Sequence, residues 1–372
     1  MKRWKGVKGL KGMKLLYLQC LLYLQYLTTM LVKLTEEEYG KISENASLWQ
    51  SLSWKAYQES LGRKVLLYGL KTSNLGISTY ALVTIDKTTF GLSVWDIPRG
   101  PVGPDSSELI SQIVDEAKKE KCMALYFSGE TEALIDQANC CSPRPSPPRR
   151  TSGEVASRRS PTANARRKQK IKKSDRHEQP EETLVIDLKK SEEEILSQMK
   201  QKGRYNIRVA EKNNIQVDKS SDVDSFYDLL SKTSGRDGFK IKPKSHYEKF
   251  LGCVPGSFLL VAKRIADRGS RIAIAGLIGA IHNATGYYYY GASDYEHRNL
   301  MAPYLLQWEA MKYCKAQDCN KYDLLGIGSH WAGVTEFKMK FGGEVQSCGK
   351  ERMIVIRPVS KWILETKRKI LG

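Results

Sequence analysis

The feature that most constrains this chain is a repeated order of elements on either side of a low-complexity insert. Residues 141–178 (CSPRPSPPRRTSGEVASRRSPTANARRKQKIKKSDRHE) are dominated by proline, serine and arginine and offer almost nothing to bury, so they are expected to be disordered. Before them, a helix is predicted over Leu48–Ser60 and strands over Val65–Leu70, Tyr80–Ile85 and Phe90–Ile97. A Pro/Gly turn at Pro98–Asp105 leads to a helix over Ser107–Lys119 and a strand over Met123–Ser128. After the insert, Thr183–Leu188 reads as a strand, with helices at Val223–Thr233 and Ser245–Leu251. Strands follow at Phe258–Arg264, Arg271–Ile281 and Gly286–Ser293, then a helix at Ala302–Ala316 and a strand at Tyr322–Ile327. Helix, antiparallel meander, helix and strand therefore occur twice. The apolar run from Arg271 to Ile281 reads as a strand covered on both faces.

This order is the core of an N-acyltransferase domain. The fold expected is α/β (α+β): two tandem GNAT-like domains with mixed sheets. Another duplicated α/β fold is the alternative. Residues 1–29 are an N-terminal extension. Residues 30–140 with 351–372 form the first domain, 141–178 the insert and 179–350 the second domain. A C-terminal helix over Val359–Ile370 is expected to return to the first domain.

The formal charge of +19 invites a nucleic-acid reading, but residues 1–30 contribute six of these charges and residues 141–178 nine, leaving four for the rest. Tails and linkers thus hold most of the excess. They are read as solvated runs, with a phosphate or membrane-surface contact as the alternative. Leu15–Val32 is apolar and about as long as a membrane span, yet Gln19 and Gln25 interrupt it. An upstream extension, an interfacial helix and a signal anchor all remain open for it. The eight cysteines include no CxxC pair and the five histidines form no ligand cluster. This pattern fits reduced, mostly buried thiols in a cytoplasmic protein and no metal site.

An acyl-CoA enzyme binds pyrophosphate at a Gly-rich turn ahead of the helix that follows the meander. In the second half that place reads His297-Arg298-Asn299-Leu300-Met301-Ala302-Pro303, and in the first Arg99-Gly100-Pro101-Val102-Gly103-Pro104. One lacks glycine, and both set proline where N–H donors are needed, so no coenzyme A and no other cofactor is expected. Arg204, Arg208 and Lys212 stand at i, i+4, i+8 on one helical face. Like charges repel at this spacing, which favours a phosphate-bearing partner over a merely solvated face. No Ser/His/Asp arrangement is present.

Several stretches resemble, in order, the Fem peptidyltransferases. They are Gln50-Ser51 with Trp54, Ile97–Pro101, Gln179-Pro180 with Thr183–Leu188, and Lys202–Ala210. Ala302–Ala310, Tyr322–Ile327 and Gly333–Glu344 complete the set. The resemblance covers residues ~45–355 outside the insert. It implies an aminoacyltransferase that uses aminoacyl-tRNA as donor. The acceptor it implies is the stem-peptide amine of a peptidoglycan precursor, either lipid II at the cytoplasmic membrane face or soluble UDP-MurNAc-pentapeptide. It further implies that Lys242 and Tyr247, with Tyr290 beside them, contact the acceptor. Lys338 falls on the family's functional lysine, which meets the tRNA phosphate or the ester oxyanion. Arg99, Lys55, Arg204 and Arg208 join the candidate binding residues. The sequence departs from the family at Gln58, where a lysine is expected (Lys55 is close), and at Ser128, where an acid is expected and Glu130 follows. Asp323 is either catalytic or a strand-end structural residue. The bland alternative reads Lys338 as a surface lysine before a Gly-Gly turn, and at least half of the Tyr287–Tyr290 run as packing. A compact monomer without a helical-hairpin arm is expected. Two other readings stay open: aminoacyl transfer to a protein or lipid amine, and a non-enzymatic RNA-binding protein.

Overall fold

The computed structural model describes residues 29–72, 76–88, 91–129, 171–174, 176, 178–265, 271–329, 332–361 and 366. The expectations for residues 1–28, for Glu130 and for most of the Val359–Ile370 helix lie outside them. Chain order begins with β1 (Thr29–Lys33), α1 (Glu36–Ile42), α2 (Leu52–Ser60), β2 (Lys64–Thr72), β3 (Gly76–Lys87), β4 (Ser93–Ile97), α3 (Ser106–Lys119), β5 (Cys122–Phe127) and β6 (Ile171–Lys173). It continues with β7 (Glu182–Asp187), α4 (Glu192–Gln198), α5 (Gln201–Lys212), β8 (Ile215–Ser220), α6 (Val223–Asp237), α7 (Lys244–Cys253), β9 (Ser257–Ile265), β10 (Arg271–His282) and β11 (Thr285–Ser293). Last come α8 (Ala302–Lys315), β12 (Lys321–Ile327), α9 (Ala332–Lys338), β13 (Glu344–Ser347) and β14 (Arg352–Val355).

Among the described residues there are two mixed sheets, ordered β1-β2-β3-β4-β5-β14-β6 and β13-β7-β12-β11-β10-β9-β8. Each contains the expected antiparallel meander, crossover helix and parallel strand. Two sequence expectations need correction at the first sheet. The insert is not structureless to its end, because Ile171–Lys173 pairs with β14. The apolar stretch that ends at Val32 finishes as an edge strand, its Leu31 and Val32 paired with Leu70 and Gly69. No helix among the described residues is long and apolar enough to cross a membrane.

The predicted Leu48–Ser60 helix is interrupted at Ser51. That residue is extended and caps α2 by accepting from the Trp54 N–H at 3.2 Å, as an N-cap serine does. The preceding turn buries Trp49 and Gln50. Gln50 is wholly buried. Its amide donates to the Pro98 carbonyl at 2.7 Å and accepts from the Leu82 N–H at 2.7 Å. One side chain thus ties the meander to the 98–101 turn.

β10 is buried along most of its length. On one face α5 and α8 close a core around Ile207, Leu277, Leu306 and Phe341. On the other, Phe226 and Leu229 of α6 and Tyr247 and Phe250 of α7 join Trp49, Trp54, Tyr57, Leu67 and Leu82 of the first domain in a single apolar cluster. The two domains therefore share a core layer, with Phe250 against Tyr57 at 5.2 Å and against Tyr289 at 4.7 Å. A Cβ on Gly276 would lie 2.8 Å from Phe226, so that glycine is what lets α6 approach the sheet.

Candidate active site

The parallel strand pair behaves differently in the two domains. In the first, β4 and β5 stay paired to Ile97 and Phe127, and a further bridge joins Gly100 to Ser128. In the second, β11 and β12 pair only from Thr285–Tyr287 to Lys321–Asp323. Beyond that point they part. A bulge leaves Tyr289 without a partner in β10, and β12 loses its register with β7 between Asp323 and Gly326. A cavity of about 1200 Å³ fills the space, lined by Tyr288, Tyr289 and Gly291–Ser293 on one strand and Leu325 and Gly326 on the other. Gln307, Phe337 and Lys338 line it from the neighbouring helices, and Trp49 and Arg99 from the first domain.

Asp323 sets up the break in β12. It is 9% exposed. Its Oδ1 accepts from the Leu325 N–H at 2.7 Å and, through a very short contact, from the Thr183 hydroxyl. Leu325 takes a left-handed conformation, φ +56°, which is strained for a leucine. The turn presents the Gly326 carbonyl to Lys338, whose ammonium donates to it at 2.7 Å. Lys338 ends α9, is 6% exposed and stands 5.6 Å from the centre of the Tyr288 ring. Burial pushes its pKa down to about 8, against the opposing charge of Asp323. Asp323 itself is raised by burial, with Thr183, Leu325, Arg99 and Lys338 opposing the rise.

Arg99 arrives from the first domain. The Gln50 bond to Pro98 and a bond from the Arg99 N–H to the Ser128 hydroxyl at 3.0 Å hold its backbone, which has φ +53°. Ser128, where an acid was expected, is thus the anchor of this turn. The guanidinium lies 5.0 Å from the Trp49 ring. It is close enough to Asp323, Tyr287 and Cys348 to oppose the upward shift of each. Its buried Nε makes no hydrogen bond among the described residues.

The remaining sequence candidates lie elsewhere. Lys242 is exposed and does not line the cavity; its N–H donates to the Tyr247 hydroxyl at 3.3 Å. Lys242 therefore stands outside the cavity that Lys338 lines, and Tyr290, next to the β11 bulge, packs toward α7. Tyr247 packs on Tyr290 at 4.9 Å, and Tyr290 on the cavity-lining Tyr289 at 4.9 Å. His246 bridges the domains, with Nε2 at 2.9 Å from the Tyr57 hydroxyl and 3.1 Å from that of Tyr290. Burial, then Lys242, Arg63 and Lys249, push its pKa down to about 4, so it is neutral at pH 7. Sequence reading missed Arg63 and Lys249. Arg63 donates to the buried Gln58 at 2.7 Å, which brings a cation beside the glutamine that stands in the expected lysine's place. Lys55 is held by Glu36 at 2.8 Å and Glu59 at 2.6 Å. Arg204 turns back to the carbonyls of Ser197 and Met199, while Arg208 is exposed on α5. None of these three lines the cavity. No group of His, Cys, Asp and Glu among the described residues could hold a metal ion.

A family model described as the FemAB family matches residues 167–261 and 257–362. The chain belongs to this family. The solved structure of FemX superposes with a TM-score of 0.69 at 17% identity, over 90% of this chain and all of that one. The structure of L-PGS from Bacillus licheniformis (TM-score 0.50, 12% identity) covers 88% of this chain and 94% of that one. The C-terminal domain of a putative lysylphosphatidylglycerol synthetase from Agrobacterium fabrum (0.50, 11%) covers 89% and 94%. At these identities the likenesses show the fold. No curated protein sequence matches the chain. The family and fold make the protein an acyltransferase of the Fem class, and the β11/β12 cavity is its candidate active site.

Proposed function

We propose that the protein transfers an aminoacyl group from aminoacyl-tRNA to the stem-peptide amine of a peptidoglycan precursor, lipid II or UDP-MurNAc-pentapeptide. The observation that carries this reading is the cavity opened between β11 and β12, with the Lys338 ammonium in its wall. An aminoacyl ester is already activated and needs no covalent enzyme intermediate. The neutral acceptor amine adds to the ester carbonyl and forms the C–N bond. Negative charge gathers on the carbonyl oxygen, then the C–O bond to the ribose breaks and the ribose oxygen takes up the proton the amine releases. A buried cation facing the developing charge lowers that barrier, and Lys338 is the cation so placed.

Binding of the acceptor is assigned to the other surface. Lys242, Arg63 and Lys249 all bear on His246, and three cations across a domain seam suit a diphosphate. The Tyr247, Tyr290 and Tyr289 rings run from there to the cavity, so an acceptor gripped at its diphosphate could extend its peptide toward Lys338. The chemistry uses no coenzyme A, and the expected working form is a monomer in the cytoplasm or at the inner membrane face.

The test is incubation of purified protein with several charged tRNAs and either precursor, followed by mass analysis of the muropeptides. A mass gain of one aminoacyl residue on the precursor is expected. If neither precursor is modified while a protein or lipid amine is, the acceptor assignment is wrong.

A further inference from the structure

Several lysines on the described surface are paired with a neighbouring carboxylate: Lys41 with Glu37, Lys118 with Asp115, Lys119 with Glu116 and Lys244 with Asp224. The outward face of α5 instead sets unpaired cations in a row on one helix. Lys202, Tyr205, Arg208 and Lys212 follow one another at spacings of three, three and four, all exposed, on the side opposite the buried Gly203, Asn206, Ile207 and Ala210. The three cations make no ion pair with any described residue. Because Arg204 is turned inward to carbonyls, the stripe is Lys202-Arg208-Lys212 rather than the row expected from sequence. It runs about 15 Å, and Tyr205 in its midst is 63% exposed.

The stripe is joined to the cavity through the backbone. At its head, the Lys200 N–H donates to the Lys340 carbonyl at 3.0 Å. A Cβ on Gly203 would come within 2.5 Å of the same oxygen. Lys340 lies two residues beyond Lys338. Glu336 is paired with Lys340 at 3.0 Å and also feels Lys202 and Lys200. α9 is therefore a shared wall, with Val334, Phe337 and Lys338 toward the cavity and Glu336 toward the head of the stripe.

We propose that this face of α5 carries the phosphate backbone of the donor RNA outside its reactive end, with Tyr205 offering a stacking surface. This rests on the reading of an aminoacyl-RNA donor given above. Unpaired cations in a row release counterions when they meet phosphates, and an exposed ring among them suits bases. An anionic membrane would also meet the charge. It would not, however, require a row that ends at the active-site wall, nor a flat ring in place of an apolar edge.

The test compares the full chain with the K202E/R208E/K212E variant and with K41E/K118E/K119E, an equal charge change elsewhere. Binding of uncharged tRNA is measured across a potassium chloride series, together with transfer from charged tRNA and from a short aminoacylated 3′-terminal fragment. In the α5 variant the slope of log affinity against log salt should fall by about 2 to 3. The KM for charged tRNA should rise at least tenfold, with turnover on the short fragment unchanged and the control variant like wild type. Equal losses in both variants, unchanged tRNA binding in the α5 variant, or loss of binding only to phosphatidylglycerol vesicles would overturn the proposal. A wild-type protein that binds tRNA through α5 yet transfers nothing from either donor refutes the donor reading and leaves the RNA face standing.

Discussion

The Lys338 ammonium donates to the Gly326 carbonyl at 2.7 Å, at the residue where β12 resumes its ladder with β7 and is already past its last pairing with β11. The bond fixes where a positive charge stands, while burial brings its pKa down to about 8. Below pH 8 the group is a cation that can face an ester oxyanion, and above it the cation is lost. Turnover should therefore show a falling limb near pH 8. Lys338→Arg should abolish that limb, since a guanidinium stays charged, and Lys338→Ala should lower turnover roughly 10²-fold. Because burial favours the neutral amine, folding should become more favourable as pH rises from about 8 toward the ordinary lysine value. Lys338→Met should accordingly raise the melting temperature at pH 7 while removing activity. A limb that persists in Lys338→Arg would refute the assignment.

Asp323 acts on this lysine in two separable ways. Its oxygen holds the Leu325 N–H and the Thr183 hydroxyl, and its charge favours the protonated Lys338. Asp323→Asn keeps an acceptor oxygen and removes the charge. It should fold with near wild-type stability and move the falling limb of the pH profile below 8. Asp323→Ala also strands the donors and should cost about 1–3 kcal/mol in chemical denaturation. Equal pH profiles for wild type and Asp323→Asn would show that the charge does not reach Lys338.

Much of this arrangement is legible in the sequence, and the illegible parts have physical causes. The meander strands and crossover helices carry strong periodicity, and sequence and structure agree there within a few residues: α8 ends at Lys315 against an expected Ala316, and β12 begins at Lys321 against an expected Tyr322. The short strands Ile171–Lys173, Glu344–Ser347 and Arg352–Val355 escape such a reading, because their pairing partners lie far away in sequence. Lys338 and Arg99 could be found by motif. That Arg99 crosses from one domain into the other's cavity could not, since it depends on a left-handed residue and on Gln50 reaching Pro98. Arg63 carried no local signal. The hold of Glu36 on Lys55 and the turn of Arg204 toward the carbonyls of Ser197 and Met199 join different elements and leave no local pattern.

The charged cluster around Arg176 should respond to pH. Arg176 lies 3.1 Å from Glu351, 3.4 Å from Asp96 and 3.4 Å from the centre of the Tyr126 ring. With Glu178 at 3.7 Å, three carboxylates share one guanidinium. Burial pushes Asp96 up to about 7, relieved by Arg176 and reinforced by Glu351. The folded protein then holds a proton that the unfolded chain releases near pH 4, so stability falls as pH rises from about 4 to 7 and levels off above. Asp96→Asn should flatten that fall and be more stable than wild type at pH 8, with the difference shrinking toward pH 4. Thermal melts at several pH values read this directly, and parallel curves for the two proteins would exclude Asp96 as the titrating group.

Trp49 ties cavity, domain seam and Arg99 together. Its ring meets Tyr287 edge-on at 5.4 Å, Tyr289 at 6.4 Å and the Arg99 guanidinium at 5.0 Å, and it is 6% exposed. Trp49→Ala should cost about 3–5 kcal/mol, as for a large buried ring. Trp49→Phe keeps part of the packing and a weaker face for the cation. If Arg99 serves the reaction from its place on this ring, Trp49→Phe should raise the donor KM several-fold with little change in turnover. Adding Arg99→Ala should then bring no further loss from the ring change. Fully additive losses in the double variant would show that the two side chains act independently, and the cavity would owe its first-domain wall to packing alone.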